Sequence, residues 1–412
     1  MTTLEPDTAK PEPKDRRQRG LPHRLLVGLL KLTIGLALWG LILFVLALFF
    51  VPSKSASKQR GVTRATVEIT TESFASPEVC GGCHWDLFTQ WSDSLHSAAN
   101  EDPLYVAVYE LAQQDTGGKA ETFCDASRCH SPSGFLAGED PFPHSRMSEI
   151  ARQGVFCDFC HTVSGGRSPV GDASYVSTPG RIKRGPYRDA ESPSHQTAYS
   201  PLHTSSKFCG ACHNVSSPIT GLKLEATYDE WEKSSYNRRN PATNTECQDC
   251  HMRPYAGRAA TIGPKRAQVF SHYFAGATTF DAVSSARKRK MATARLKSAA
   301  RLSLVRAERE GGRVNLSVRV ANVGAGHYLP TGITELREMW LEVVVLDDHR
   351  VPPRGSVIER YSFDAPSSAG PLRLTVRLLY RSASQELVDT LLGDGRLDIP
   401  VVEMTRLTSV ID

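Results

Sequence analysis

The feature that most constrains this chain is the arrangement of its ten cysteines, which fall into five pairs, each followed directly by a histidine. Four pairs have the spacing C-x-x-C-H, and the pair before His130 has the longer spacing C-x-x-x-x-C-H. Two thiols at such spacing can form thioethers to one porphyrin edge while the adjoining imidazole reaches the iron. The pattern predicts five covalently bound haem c groups, attached at Cys80, Cys83 and His84; Cys124, Cys129 and His130; Cys157, Cys160 and His161; Cys209, Cys212 and His213; and Cys247, Cys250 and His251.

Zinc sites and redox dithiols explain the same cysteines less well. Histidines are only 13 of 412 residues, so a histidine after every pair is not a chance arrangement. Zinc ribbons need paired C-x-x-C units without an adjoining histidine, and a thioredoxin-like dithiol accounts for one pair only. Haem attachment uses reduced thiols after export and leaves no cysteine for a disulfide, so we expect the chain to work outside the cytoplasmic membrane.

An export and anchoring segment is predicted near the N-terminus. Residues Leu32 to Val51 carry no charge over twenty residues, which is long enough to span a bilayer as a helix. A cleavable signal peptide is the alternative, but its apolar region is usually only about 7 to 15 residues long. We therefore expect an uncleaved, single-pass anchor with the N-terminus inside, in agreement with the basic residues before the span: Lys10, Lys14, Arg16, Arg17, Arg19 and Arg24.

The chain beyond the anchor divides by composition. The haem-bearing stretch has few residues for each predicted haem and is rich in Gly, Pro and Ser, so the macrocycles themselves must supply most of its buried surface. Short helices are predicted around 85–98, 104–114 and 228–234. The predicted divisions are a cytoplasmic tail at 1–27, the anchor at 28–52, a polar linker at 53–75, a pentahaem domain at 76–280, a basic helical linker at 281–301 and a β-sandwich at 302–412.

The β-sandwich is predicted from period-two hydrophobic patterns. Val314, Leu316, Val318 and Val320 alternate with polar residues, and a similar alternation begins at Leu372. The fold class is thus a mostly irregular, short-helical multihaem cytochrome domain with a C-terminal antiparallel β-sandwich and one N-terminal transmembrane helix. The basic helix before the sandwich is either a solvated face or a surface that meets haem propionates, an acidic partner or anionic lipid.

Eight histidines remain as candidates for the second axial position. His23 precedes the membrane span, and His349 lies at a predicted strand end beside two aspartates. Six candidates remain for five irons, which favours bis-histidine coordination and electron transfer over substrate binding. We expect the distal ligands among His96, His195, His203, His272 and His327, and the sequence leaves open whether His144 displaces one of them.

Several stretches resemble bacterial multihaem c-type cytochromes related to the tetrahaem electron acceptor of hydroxylamine oxidoreductase. They are CGGCHWDLFTQWSDSLH at 80–96, GVFCDFCHTV at 154–163, SSKFCGACHN at 205–214, CQDCHM at 247–252 and GAGHYLPTG at 324–332. The resemblance implies that the W-x-x-S-x-H segment, with Trp91, Ser94 and His96, supplies a distal ligand to a different haem. It implies similar roles for His195 or His203, for His272 and for His327. This chain departs from those cytochromes in having five sites, the longer Cys124/Cys129 spacing and an anchor.

These features predict a membrane-anchored periplasmic pentahaem cytochrome that relays electrons between redox protein partners, as a subunit of a respiratory or photosynthetic complex. The alternative is a reductase of a small nitrogen or sulfur compound at a five-coordinate haem, which would need one iron without a distal ligand. An electron carrier rather than an enzyme is expected. Nucleic acid is not an expected partner in this compartment, and the net charge of +5 is modest beside the propionates of five haems.

Overall fold

The computed structural model describes residues 68–120, 126–139, 146–238, 243–280, 285–310, 313–333, 336–342, 353–364 and 372–411. The predicted tail and anchor, most of the linker, Cys124, His144 and His349 lie outside these residues. Within the described ranges no helix is both long and apolar enough to span a bilayer. All of the described residues fall in one compact unit.

The haem-bearing part consists of short helices joined by loops, as its composition predicts. The helix Pro103–Asp115 is the longest there, and the Asp102 carboxylate caps it by accepting from the Leu104 and Tyr105 amides. The α-helices in chain order are α1 Pro77–Gly81, α2 Trp85–Ser92, α3 Pro103–Asp115, α4 Ser127–His130, α5 Pro132–Ala137, α6 Glu149–Arg152, α7 Cys157–Thr162, α8 Ser206–Gly210, α9 Thr227–Glu232 and α10 Cys247–His251. The described residues of this part also include two 3₁₀ turns, Thr71–Ser73 and Pro201–Thr204.

Small two-stranded sheets hold the loops between these helices. Three pairs are antiparallel and one, Ile182–Gly185 with Gln196–Tyr199, is parallel. Because none of these sheets is large enough to bury a face, their role is to fix loop positions around the helices. The pairs are β1 Val163–Gly166 with β2 Tyr175–Ser177, β3 Ile182–Gly185 with β4 Gln196–Tyr199, β5 Val215–Ser216 with β6 Lys223–Glu225, and β7 Pro254–Arg258 with β8 Lys265–Phe270.

The haem-bearing part also has an aromatic core that composition did not predict. Phe156 and Phe159 are buried with Trp91, and Phe74 packs edge-on against Phe156 at 6.0 Å between ring centroids. Ile69 joins the same cluster, and only 3% of its surface is exposed. The polar linker predicted for 53–75 therefore differs from the structure over 68–75, where two apolar side chains anchor the chain to the core.

The C-terminal part is built from two three-stranded antiparallel sheets. In the first, the central strand Arg313–Asn322 (β10) lies between Ser356–Asp364 (β12) and Ala300–Glu310 (β9), and in the second Leu372–Arg381 (β13) lies between Glu338–Leu341 (β11) and Val402–Ile411 (β14). Their inward side chains, including Val318 and Val376, form one apolar core. The two sheets thus pack as a sandwich, as the alternation predicts. The strands are β9 Ala300–Glu310, β10 Arg313–Asn322, β11 Glu338–Leu341, β12 Ser356–Asp364, β13 Leu372–Arg381 and β14 Val402–Ile411.

Two further helices connect the sandwich to the rest. The basic helix α11, Ala286–Ala299, runs directly into β9, and its Leu296 and Ala299 belong to the sandwich core. The helix α12, Gln385–Leu392, packs against α3 through a small cluster that contains Leu104 and Val388. The sequence analysis did not predict this helix, because the residues around it follow the period-two pattern of β-strands.

Candidate haem-binding site

The five motifs place their described cysteines and histidines on or beside short helical turns. In α7 and α10 the whole C-x-x-C-H segment is helical. A helical turn brings residues three apart to one side, so both thiols can face the same porphyrin edge. All nine described motif cysteines are free of disulfides. The helix α4 shows that the longer spacing still ends in the same local structure, because it contains Cys129 and His130.

Each proximal histidine is oriented by a hydrogen bond at Nδ1. Four rings meet a backbone carbonyl: His84 meets Ala259 at 2.7 Å, His130 meets Ala99 at 2.6 Å, His161 meets Arg184 at 2.5 Å and His251 meets Ala275 at 3.0 Å. The fifth, His213, meets the Glu225 carboxylate at 3.1 Å. A ring that donates its Nδ1 proton in this way leaves Nε2 as the metal-binding atom.

Four of these rings face a second histidine at a uniform separation. The ring centroids lie 6.4 Å apart for His84 and His195, 6.2 Å for His213 and His96, 6.3 Å for His161 and His272, and 6.4 Å for His251 and His327. Metal–imidazole bonds of about 2 Å on both sides would separate two ring centres by roughly 6.3 Å. The four pairs therefore fit an iron held between two imidazoles.

In three of the four pairs the second ring is also oriented by a backbone carbonyl at Nδ1. The Nδ1 atoms of His195, His272 and His327 lie 2.9–3.0 Å from the carbonyls of Gln196, Phe270 and Tyr328. Burial also lowers the pKa of His96 to about 3, of His251 to about 3 and of His272 to about 4. A neutral imidazole can bind a metal without first losing a proton, so these histidines suit axial ligation.

His203 was predicted as a distal ligand, but its environment is different. Its ring stacks near His161 at 5.6 Å between centroids, closer than the four uniform pairs, and its Nε2 lies 3.1 Å from the Cys160 carbonyl. Its Nδ1 is buried without a hydrogen-bond partner. Because His272 faces the same proximal ring, the geometry favours His272 over His203 as the ligand opposite His161.

His130 is the proximal histidine whose surroundings differ most from the others. Tyr105 stacks on it at 3.8 Å between centroids and 9° between planes. In the described ranges no histidine ring pairs with His130 as the other four proximal rings are paired. His144, the remaining candidate, lies outside them.

The motifs also contact one another through their cysteines. The side chain of Cys80 lies close to that of Cys157, and the same holds for Cys129 with Cys212 and for Cys209 with Cys247. The first motif is thus adjacent to the third, and the fourth is adjacent to both the second and the fifth. Cofactors attached at neighbouring thiols lie close together, which suits transfer from one to the next.

The loop of residues 324–332 brings His327 from the sandwich to the fifth motif. The Asn322 side chain donates to the His327 carbonyl, and the buried Glu230 carboxylate accepts from the Tyr328 amide and the Thr331 hydroxyl. The sequence analysis did not identify the glutamates of this region, Glu225 and Glu230, as candidate site residues. Neither lies in a recognisable motif, and both act through contacts that only the fold creates.

Paired thiols, oriented proximal imidazoles and a second set of histidines that face them are the arrangement of residues found in a multihaem c-type cytochrome, and they are the groups that would hold covalently bound haem c. A family model described as cytochrome c554 and c-prime matches residues 79–162, which contain the first three motifs. The crystal structure of a penta-heme cytochrome c552 from Thermochromatium tepidum is similar in fold, with a TM-score of 0.59. The alignment has 18% sequence identity and covers 82% of this chain and 99% of that one. No curated protein sequence matches significantly.

Proposed function

We propose that the chain binds five haems and relays electrons along them, with at least four irons held between two histidines. The observation that carries this proposal is the set of four opposing imidazole pairs at 6.2–6.4 Å. Haem supplies the one-electron chemistry. The paired histidines would hold four of the irons from both sides before and after reduction, so the protein would reorganise little and those irons would offer no free position to a substrate.

The proposal is tested by low-temperature EPR of the oxidised protein, with haem content measured on the same sample. We expect five haems per chain and at least four low-spin irons. Fewer than four low-spin irons in fully haem-loaded protein would contradict the relay and indicate more than one open site.

We further propose that residues Leu32 to Val51 anchor the protein in the cytoplasmic membrane, with the haem-bearing part in the periplasm. The support is the uncharged sequence of this segment and the export that haem attachment requires. Fractionation should find the full chain in membranes, and protease added to spheroplasts should digest the haem-bearing part. Recovery of a shortened chain in the soluble periplasm would contradict the anchor and indicate a cleaved signal peptide.

The partners we propose are a membrane electron donor and a periplasmic acceptor, within a respiratory or photosynthetic complex. The motif order and the fold likeness to a pentahaem cytochrome support this, and the relation to the electron acceptor of hydroxylamine oxidoreductase belongs to the same proposal. Mild detergent extraction followed by native electrophoresis with haem staining tests it. A haem band that migrates only at the size of the single chain would contradict a stable complex.

A second candidate function is reduction of a small nitrogen or sulfur compound at the second motif. The observation that favours it is the neighbourhood of His130, where Tyr105 rather than a described histidine accompanies the proximal ring. Carbon monoxide added to the reduced protein distinguishes the two functions. A spectral change equivalent to one haem supports an open site, whereas no change supports a relay in which every site is filled.

A further inference from the structure

One proximal histidine of the five has an ionisable partner. The Nδ1 atoms of His84, His130, His161 and His251 lie against peptide carbonyls. His213 instead meets a glutamate, Glu225, at 3.1 Å. A carbonyl oxygen carries only a partial negative charge, whereas a carboxylate carries a full one. The His213 ring therefore lies beside a full negative charge that the other four proximal rings lack.

The position of Glu225 is fixed by the chain immediately around the fourth motif. The strand β5 follows His213 by one residue, and β6 returns antiparallel to it, which places Glu225 opposite Val215. The Glu225 side chain is 17% exposed and that of His213 is 52% exposed, so solvent screens the charge of the carboxylate only in part. The carboxylate is therefore held near the imidazole by backbone register, not by a long flexible loop.

Nearby hydroxyl groups do little to neutralise this carboxylate. The Thr227 hydroxyl lies 3.2 Å from Glu225 but 2.9 Å from the Thr331 hydroxyl. Thr331 donates its own proton to Glu230 at 2.6 Å, so it can accept the Thr227 proton. The Thr227 proton is thus shared with a closer acceptor, and the His213 ring remains the principal donor to Glu225.

We propose that Glu225 gives the haem at Cys209 and Cys212 the lowest reduction potential in the chain. This inference rests on the proposed function, because it requires His213 to bind an iron. A carboxylate that accepts the Nδ1 proton makes the imidazole a more basic ligand, and a more basic ligand stabilises the ferric state over the ferrous state. Glu225 is a positioning residue, since it acts on the iron only through His213.

The location of the fourth motif gives this tuning a consequence. Its cysteines contact Cys129 of the second motif and Cys247 of the fifth. A centre of low potential between two neighbours passes an electron on rather than retaining it. The fourth haem should therefore be a transit point that stays oxidised while its neighbours are reduced.

Ring orientation supplies a way to observe this haem separately. The planes of His213 and His96 cross at 78°, whereas the planes in the other three pairs differ by 25–29°. Perpendicular imidazole planes leave two iron d orbitals nearly equal in energy and give a strongly anisotropic low-spin EPR signal. Near-parallel planes split those orbitals and give an ordinary rhombic signal.

The experiment is a redox titration of the full holoprotein followed by EPR at each potential. In the wild type, the strongly anisotropic signal should be the last to disappear as the potential is lowered. In Glu225→Gln, which keeps an oxygen acceptor but removes the charge, this signal should disappear at a higher potential while the rhombic signals are unchanged. Glu225→Asp, which retains the charge, should lie between the two.

The matched control is Glu232→Gln, because Glu232 is exposed on the neighbouring helix α9 and contacts Tyr228, not a histidine. It removes the same charge and should leave every signal at its wild-type potential. An equal shift in both variants, or none in Glu225→Gln, would overturn the inference. If the wild type lacks the anisotropic signal altogether, the His213/His96 coordination of the proposed function is wrong instead.

Discussion

At the residue scale, His161 is the position where two partly buried histidines, His203 and His272, lie opposite the same proximal ring. His272 lies at the uniform separation of the other pairs, and the Nε2 of His203 already contacts a carbonyl. We predict that His272→Ala converts one haem to high spin, because no other ring would remain at ligating distance. His203→Ala should keep the low-spin count of the wild type. EPR spin counting checks both, and the opposite result would make His203 the ligand.

Gly154 shows how closely the backbone supports a ligand. Its φ is +67°, and a Cβ there would lie 2.5 Å from the His96 carbonyl oxygen, which accepts from the Val155 amide. We predict that Gly154→Ala lowers the melting temperature and weakens the strongly anisotropic EPR signal, because His96 must move.

The control for this prediction is Gly118→Ala. Gly118 has a φ of +83° with open space around it, so alanine there adds backbone strain without a collision. Strain alone should cost about 1–2 kcal/mol. Equal melting temperatures for the two variants would show that the contact with His96 is unimportant.

At the element scale, the basic helix α11 is neither a purely solvated helix nor a free linker. Leu296 and Ala299 pack in the sandwich core, Arg295 donates to the Cys250 carbonyl, and Lys288 is only 2% exposed. The helix therefore joins the sandwich to the haem-bearing part. Only the outward basic residues of α11, such as Arg289 and Lys290, could serve the docking role that the sequence suggested, which is contact with haem propionates, an acidic partner or anionic lipid.

Lys288 makes the folding stability of the protein depend measurably on pH. Burial lowers the pKa of Lys288 to about 8, against an ordinary value of 10.5, although Asp93 and Asp102 oppose the shift. Between these values the unfolded chain binds a proton that the folded chain does not, so this residue's contribution to stability rises with pH. Below about pH 8 both states are protonated, and the buried ammonium is a constant cost.

We predict that Lys288→Met is more stable than the wild type at pH 7 and that the difference narrows by pH 10. Urea unfolding of both proteins at the two pH values measures it. A difference that is constant with pH would mean that Lys288 does not titrate in this range.

At the scale of the whole molecule, the two parts depend on haem to different degrees. The sandwich has a continuous apolar core from both sheets, whereas the described residues of the haem-bearing part have a smaller core around Phe156 and a cluster that they share with α12. We predict that the chain produced without haem attachment keeps a protease-resistant C-terminal fragment while the haem-bearing part is digested. Limited proteolysis with mass spectrometry checks this, and resistance of both parts would contradict it.

Much of this architecture follows from local sequence. The cysteine–histidine motifs, the alternation that begins at Val314 and the short helices each depend on residues close together in the chain. Glu225, the choice of His272 over His203 and the burial of Ile69 depend instead on contacts made by the fold. No period or motif encodes such contacts, so they became visible only in three dimensions.

The opposing histidine rings also set an order of assembly. In three of the four pairs the proximal ring comes first in the chain and its counterpart follows far later, as His195 does for His84, whereas His96 precedes His213. During export from the N-terminus, the attachment sites of these three pairs thus emerge well before the histidine that faces them, and His96 is already present when the fourth site emerges. A truncated chain would keep its early attachment sites but would lack the histidine that faces the last of them. The haem iron at that site would then be exposed and reactive.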